Sequence, residues 1–286
     1  MTDRVPAWSL AVAAIVTVQL GAALSTTLFN EVGAAGTAWL RLAIGGLIFM
    51  AIARPRLRQY SRADLRIALA LGFATAVMTV GFQSAIARIP LGTAVAIEFL
   101  GPLGVAAFRS HSRRALVWPL LALAGVLILT EPWTGAVDPI GVAFAIMAAV
   151  GWASYILLTQ SVGDRFSGID GLAITIPVAA LCATVVGLPQ AWGGLTVEVL
   201  VRATFIAILI PVIPFTLELL ALRRLTAAAF GTLMALEPAV GTMWGALLLG
   251  QSVQALQLVG VALVVAAGIG AERSGKREPA TVTPLA

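Results

Sequence analysis

The sequence predicts an all-α polytopic membrane protein with ten transmembrane helices, and three observations lead to this prediction. Of its 286 residues, 60% are hydrophobic and only 11% are charged, whereas a soluble domain is about one quarter charged. Apolar stretches long enough to cross the hydrocarbon core, which takes about 20 residues, follow one another along the chain. Basic residues concentrate in alternate connections between these stretches, which is typical of a membrane topology.

The predicted spans are separated by short connections that leave no room for a soluble domain. They are residues 8–29, 33–53, 65–86, 91–109, 115–131, 138–160, 170–189, 199–222, 227–249 and 253–271. A short polar tail, Met1–Pro6, runs directly into the first span, which we therefore expect to be retained as its own insertion signal. Residues 273–286 are predicted to form a cytoplasmic tail.

The distribution of basic residues predicts the orientation. With the N-terminus in the cytoplasm, 15 of the 18 Lys and Arg residues fall on the cytoplasmic side. They are Arg4, Arg54, Arg56, Arg58, Arg62, Arg66, Arg109, Arg113, Arg114, Arg165, Arg223, Arg224, Arg273, Lys276 and Arg277. Arg88 and Arg202 fall on the opposite side, and Arg41 lies inside a span. We expect both termini in the cytoplasm, and we attribute the basic pI to topology and not to nucleic-acid binding.

The chain also carries a weak internal repeat. A shift of 136 residues superposes Arg88–Pro102 on Arg224–Pro238, with Arg, Leu and Pro matching. This predicts two five-helix repeats, residues 1–134 and 135–272. Because five is odd, the second repeat is inverted relative to the first, an architecture of secondary transporters whose substrate site lies near the midplane between the halves.

Four ionisable residues lie within the predicted spans, where charged groups are costly and usually serve a function. They are Arg41, Glu98, Glu218 and Glu237. Glu98 and Glu237 lie three residues apart in the repeat register, on one helix face, and are predicted to point toward a shared centre. Arg41 is expected either to pair with one of these glutamates for structure or to hold a substrate carboxylate. Glu218 lies near the cytoplasmic end of its span, where it can pair with Arg223 or Arg224 or take part in transport.

Prolines interrupt the same spans. Pro102 has no N–H and leaves the carbonyl of Glu98 without its helical partner, and Pro238 has the same effect in the second repeat. Carboxylates next to free carbonyls suit an ammonium group or a proton. Pro211 and Pro214 are expected to kink the eighth span, either as a gating helix or through packing around a curved cavity.

Three stripes of polar or aromatic residues follow helical spacing. They are Gln19, Thr26 and Asn30; Thr75, Thr79 and Gln83; and Trp152, Tyr155 and Thr159. Such stripes either line a cavity or hold helices together, and the aromatic pair can alternatively form an interface belt. Gln19, Thr79, Gln83, Trp152 and Tyr155 are the candidates for contact with substrate or protons. Gly72, Gly81, Gly241 and Gly245 indicate close helix packing.

No catalytic or metal-binding motif is visible. The single histidine, His111, falls in a predicted cytoplasmic loop, the single lysine, Lys276, falls in the tail, and Cys182 is the single cysteine. No Walker A lysine is present. We therefore expect neither an enzyme nor an ATP-driven pump, and no metal or cofactor.

Longer motifs resemble a known family. They are Ile89–Leu103, Phe230–Ala239, Trp39–Ala43 and Pro214–Glu218. Together with the ten spans they resemble the EamA family of the drug/metabolite transporter superfamily, and in particular its threonine/homoserine exporter subgroup. One departure is the end of the ninth span, where the family commonly has Leu-Gly-Glu and this chain has Leu249-Gly250-Gln251.

The resemblance implies export of small amino acids across the cytoplasmic membrane of a bacterium, with proton antiport expected. In this hypothesis Glu98 and Glu237 alternate between a proton and the substrate's ammonium group, while Arg41 takes its carboxylate. The alternatives are an exporter of another metabolite or drug, or a non-transporting scaffold or enzyme. The expected partners are an amino acid, protons and lipid, without nucleic acid, for a monomer or homodimer.

Overall fold

The computed structural model describes residues 6–55, 59–109, 116–131, 137–163, 170–222 and 233–274, and the regular structure in these ranges is helical. The helices are α1 (Ala7–Ser25), α2 (Phe29–Ala53), α3 (Arg62–Ile86), α4 (Leu91–Glu98), α5 (Leu100–Arg109), α6 (Val117–Thr130), α7 (Pro139–Gly163), α8 (Asp170–Ala191), α9 (Val197–Ala207), α10 (Ile213–Leu222), α11 (Glu237–Leu249) and α12 (Ala255–Ser274). His111, residues 227–232 of the predicted ninth span, and the tail from residue 275 lie outside the described residues.

Within the described ranges, five helical stretches are long and apolar enough to cross a membrane. They are Ala7–Ala53, Arg62–Ile86, Pro139–Thr159, Asp170–Ala191 and Val197–Glu218, and shorter apolar helices cover Leu91–Val105, Val117–Thr130 and Ala255–Ala271. The first stretch contains a break at Gly33, whose φ of 70° lies in the left-handed region that glycine adopts without steric cost. This break falls where the sequence predicts the boundary between the first two spans. The chain is thus a multi-pass membrane protein.

Two of the predicted spans are interrupted where they carry proline. In the fourth, the helical hydrogen bonding is irregular at Phe99, between α4 and α5, three residues before Pro102, while the dihedral angles of Phe99 stay helical (φ −63°, ψ −16°). The eighth is divided by Ile208–Val212, in which Ile210 is extended (φ −157°, ψ 109°). The kink expected from Pro211 and Pro214 is therefore confirmed.

The helices pack in defined pairs. The contacts join α2 with α8, α3 with α7, α6 with α12, α4 with α11, and α1 with both α10 and α11. Glycines allow close approach: a Cβ on Gly125 in α6 would lie 2.6 Å from the carbonyl oxygen of Gly260 in α12. Gly72 is similarly blocked by Val178 and Gly81 by Met147, which confirms the close packing expected at these positions.

The two ends of the bundle carry different polar contacts. We call the end where α2 begins the Gly33 end and the end where α2 stops the Arg54 end. At the Gly33 end, Arg88 forms an ion pair with Asp138 at 3.0 Å and Arg202 pairs with Glu31. At the Arg54 end, the Tyr60 hydroxyl donates to Asp170 at 2.8 Å.

Candidate functional site

Arg41 and Glu98 lie at the same depth in the bundle. Arg41 is eight residues beyond the break at Gly33 in α2, and Glu98 is eight residues beyond Pro90, which precedes α4. At 1.5 Å per residue both lie about 12 Å from the Gly33 end. Both are buried, with 7% and 9% of their surface exposed, and they attract one another electrostatically. A common depth and opposite charges bring these two predicted residues into one site.

The attraction between Arg41 and Glu98 is not a direct ion pair. Among the described residues, no carboxylate oxygen lies within 4.0 Å of the Arg41 guanidinium. Its Nη1 is buried and has no hydrogen-bond partner in the described part of the chain. An unsatisfied buried donor costs about 1–3 kcal/mol. An anionic ligand that accepts a hydrogen bond from Nη1 would remove this cost.

Glu237 is the first residue of α11 and is 8% exposed. Helix N-termini stabilise negative charge, and Pro238 fits the first helical turn, where its missing N–H costs nothing. Glu237 interacts electrostatically with Glu98 and with Glu218. Because α4 packs against α11, the two glutamates predicted to face a shared centre lie on neighbouring helices.

The breaks beside the two glutamates occur at equivalent places. Phe99 interrupts the fourth span, and the shift of 136 residues carries it to Ala235, where a turn precedes α11. After the first break, the Leu103 N–H donates to the carbonyl of Phe99 at 3.3 Å. Pro102 has no N–H to offer to Glu98, so the first break follows the geometry expected from the sequence.

Two buried glutamines add unpaired polar atoms. Gln83 is 0% exposed, and neither its Oε1 nor its Nε2 has a partner among the described residues. Gln19 is 2% exposed with an unpaired Oε1, which lies 3.4 Å from the Cβ position of Gly241, one turn beyond Glu237. Since buried polar groups in proteins are nearly always satisfied, these amides are candidate partners for a polar ligand or water. Thr79 is buried on the same stripe as Gln83.

The two aromatic candidates lie against the interior. The ring of Trp152 packs edge-on against Phe99, with centroids 6.0 Å apart, so it contacts the break next to Glu98. Tyr155 interacts electrostatically with Glu218 and packs on the cluster that contains Leu71. These contacts place both side chains against the interior, which argues against an interface belt.

The broken part of the eighth span is enclosed by protein. A Cβ on Gly21 in α1 would lie 3.1 Å from Ile210, and one on Gly45 in α2 would lie 3.0 Å from Pro211. Irregular backbone is tolerated at membrane depth only where protein or a cavity surrounds it. Pro214 is also buried, and Glu218 is partly exposed. Its predicted partners Arg223 and Arg224 lie outside the described residues.

Thr26 and Asn30, which share the predicted polar stripe of Gln19, do not lie in this site. The Thr26 hydroxyl donates to the carbonyl of Ala23 at 2.7 Å, and Asn30 is exposed. Sequence reasoning missed Gln190, whose Oε1 accepts a hydrogen bond from the Ala35 N–H at 3.0 Å. In the sequence, Gln190 could have been recognised as an amide at the end of an otherwise apolar span.

Apolar helices that enclose an arginine, two glutamates and unpaired amides beside helix breaks define an integral membrane protein with an interior polar site, as in secondary transporters. The profile of the EamA-like transporter family matches residues 139–270. The threonine/homoserine exporter RhtA of Salmonella typhimurium (strain LT2) is 34% identical over 284 residues, 97% of this chain and 96% of that protein. The threonine/homoserine exporter RhtA of Escherichia coli K12 is 35% identical over 281 residues, 96% and 95%.

A more distant relative is the pseudopaline exporter CntI of Pseudomonas aeruginosa (strain PAO1), which is 26% identical over 253 residues, 85% of this chain and 87% of that protein. The chain belongs to the EamA-like transporter family. Within it, the chain is similar over nearly its whole length to the threonine/homoserine exporters, which confirms the resemblance predicted from the glutamate–proline motifs.

Proposed function

We propose that the protein is a secondary active transporter that exports small amino acids of the threonine/homoserine type across the cytoplasmic membrane by proton antiport. The observation that carries this proposal is the buried, indirectly coupled pair of Arg41 and Glu98. A zwitterionic amino acid complements such a pair, because its carboxylate can accept from Arg41 and its ammonium group can donate to a glutamate. The unpaired amides of Gln19 and Gln83 provide partners for a side-chain hydroxyl.

Proton coupling follows from the same residues. A carboxylate of Glu98 or Glu237 that holds the substrate's ammonium group carries no proton, and a protonated carboxyl has lost the charge that attracts this group. Binding of proton and substrate is therefore mutually exclusive at these sites, and alternation between the two gives antiport. Burial strengthens the competition, because charges interact more strongly in a low-dielectric environment.

The proposed topology has ten spans, both termini in the cytoplasm, and inverted repeats at residues 1–134 and 135–272. The pairing of helices supports it. Under the shift of 136 residues, α2 packs against its own equivalent α8, and α6 packs against its own equivalent α12. The contact of α3 with α7 likewise corresponds to that of α10 with α1. A two-fold axis between the halves produces such a pattern, and the basic residues Arg54, Arg62 and Arg66 support a cytoplasmic Arg54 end.

The test is efflux of labelled threonine and homoserine from cells or vesicles that contain Glu98→Gln or Glu237→Gln. We expect each variant to lose at least about tenfold of its efflux rate, as buried site residues commonly do (about 1.4 kcal/mol per factor of ten). Glu198→Gln is the matched control, since it makes the same substitution at a glutamate that is exposed and lies outside the proposed site. Normal export by both site variants with unchanged pH dependence contradicts the proposal.

A second candidate is an exporter of another metabolite, which the similarity to a pseudopaline exporter favours. An efflux panel of amino acids and larger metabolites separates the two. A membrane scaffold or an enzyme is the weaker alternative, because the named relatives are exporters. We propose that the transporter acts as a monomer or homodimer, with protons and a small solute as its partners.

A further inference from the structure

Three buried or half-buried carboxylates lie at successive depths in the bundle. Measured along the helices from the Gly33 end, Glu98 is eight residues after Pro90, or about 12 Å. Glu237 is twelve residues before Leu249, or about 18 Å. Glu218 is twenty-one residues after Val197, or about 30 Å. The three groups therefore form a series that ends near the Arg54 end.

Neighbours in this series interact with one another. Glu98 interacts electrostatically with Arg41, and Glu237 interacts with both Glu98 and Glu218. Glu218 in turn interacts with Tyr155 of α7. Among the described residues, Glu237 is thus the carboxylate that interacts with both outer members of the series.

A separate observation indicates a polar occupant near Glu237. Gln19 lies on α1, the helix that packs against both α10 and α11. Its Oε1 is fully buried without a partner in the described residues, and it faces Gly241, one turn from Glu237. An amide oxygen in that position accepts a hydrogen bond from water or from a protonated carboxyl.

We propose that Glu98, Glu237 and Glu218 form a proton relay through the membrane, with Glu218 as the group that releases the proton at the Arg54 end. The inference rests on the proposed antiport function. Each step moves one proton: a protonated carboxyl gives its proton through water to the next carboxylate and becomes a carboxylate itself. No other bond changes, and Gln19 stabilises the protonated form of its neighbour.

Glu218 differs from the other two glutamates in that it lies outside the reach of the substrate. Its depth is about 18 Å greater than that of Arg41 along the helices, several times the length of a small amino acid. A substrate bound at Arg41 can reach Glu98 but not Glu218. Glu218 therefore carries protons alone, whereas Glu98 and Glu237 exchange a proton for the ammonium group.

The experiment compares two assays on reconstituted protein in liposomes. Counterflow of labelled threonine at equal pH on both sides reports substrate binding and exchange, and uptake against a threonine gradient under an imposed pH gradient reports coupling. For Glu218→Gln we expect counterflow within about threefold of the wild type and pH-driven accumulation reduced at least about tenfold, since the relay has lost its last group. Glu198→Gln, the same substitution at the other end of the helical stretch Val197–Glu218, is the control and should leave both assays unchanged.

The remaining variants separate the possible outcomes. Glu237→Gln should lose both counterflow and coupling, and Glu218→Asp should recover part of the coupling. Normal coupling in Glu218→Gln overturns the relay, and loss of counterflow in that variant overturns it too, because it places Glu218 in the substrate site. If the wild type shows no counterflow of threonine or homoserine, the proposed function fails and the relay fails with it. Gel filtration in detergent confirms that each variant is folded.

Discussion

The side-chain oxygen of Gln251 accepts a hydrogen bond from the backbone N–H of Leu91 at 3.1 Å. A residue just beyond the end of α11 thus caps the helix that carries Glu98. Gln190 makes the corresponding contact with Ala35 at 3.0 Å, at the start of the segment of α2 that carries Arg41. Each helix that positions one member of the central pair is held at the Gly33 end by a glutamine from the other half of the chain.

Replacement of Gln251 by Leu should destabilise the protein by about 1–2 kcal/mol, because the Leu91 N–H loses its acceptor. Gln251→Glu keeps an oxygen at this position and is expected to stay close to the wild type, in line with the glutamate common in the family. Thermal unfolding in detergent measures the difference. Equal melting temperatures for Gln251→Leu and the wild type would show that the cap contributes nothing.

The glycine contact between α6 and α12 should tolerate no side chain. Gly125→Ala places its Cβ 2.6 Å from the carbonyl oxygen of Gly260, so the helices must separate, at a cost of about 1–3 kcal/mol. Gly104→Ala is the matched control, since nothing lies within 4 Å of its Cβ position. We expect lower yield and melting temperature only for Gly125→Ala, and an equal effect of both substitutions argues against the close contact.

The ion pair of Arg88 and Asp138 should give stability that depends on pH. The hydrogen bond from Arg88, assisted by that from the Ile140 N–H, lowers the pKa of the Asp138 carboxyl below its usual value. A lowered pKa in the folded state gives stability that is present above the unfolded pKa, about 3.9, and is lost as the pH falls through the folded pKa.

The corresponding test is Asp138→Asn. This variant should melt slightly below the wild type at pH 7, since a surface ion pair contributes little and is screened by salt. The difference should vanish as the pH falls below about 4. Melting curves across pH 3–8 at low salt measure it, and a difference that persists at the acid end speaks against an ion-pair origin.

Arg41 is expected to serve transport at a cost in stability. Arg41→Gln removes a buried charge whose Nη1 has no partner among the described residues, so the melting temperature should stay the same or rise. Threonine efflux should fall at least about tenfold, because the donor that binds the substrate carboxylate loses its charge. Arg41→Lys retains the charge without the planar donor pair and should be intermediate. A large loss of stability in Arg41→Gln would instead indicate a structural role.

The positions of most helices could be predicted from the sequence, because each depends on local information. The hydrophobic stretch from residue 170 predicts α8 within two residues of its observed end at Ala191, and Gly33 and Ser61 mark the starts of helical segments with a left-handed break and a capping box. The interruptions near Pro102 and Pro211 were likewise predictable, since proline removes a backbone donor wherever it occurs. The second break, at Ala235 before Pro238, lies where the shift of 136 residues carries Phe99.

The side-chain contacts across the bundle were not predictable in the same way. A direct pairing of Arg41 with a glutamate was one of the expected arrangements, yet within the described residues the guanidinium has no carboxylate in contact. The caps from Gln190 and Gln251 join residues about 160 positions apart. Such contacts depend on how helices are rotated and shifted against one another, and no local pattern of residues specifies this.

By itself, the sequence determined that the chain is a membrane protein, which residues are buried charges, and to which family it belongs, because hydrophobicity, proline chemistry and motif identity are properties of the residues themselves. Only the tertiary structure decided that Arg41 and Glu98 lie at one depth without a direct ion pair, and that Glu218 is coupled to Glu237. These relationships arise from the packing of α1, α2, α4, α10 and α11, where close approach at Gly21, Gly45 and Gly241 sets the distances between groups that are far apart in the chain.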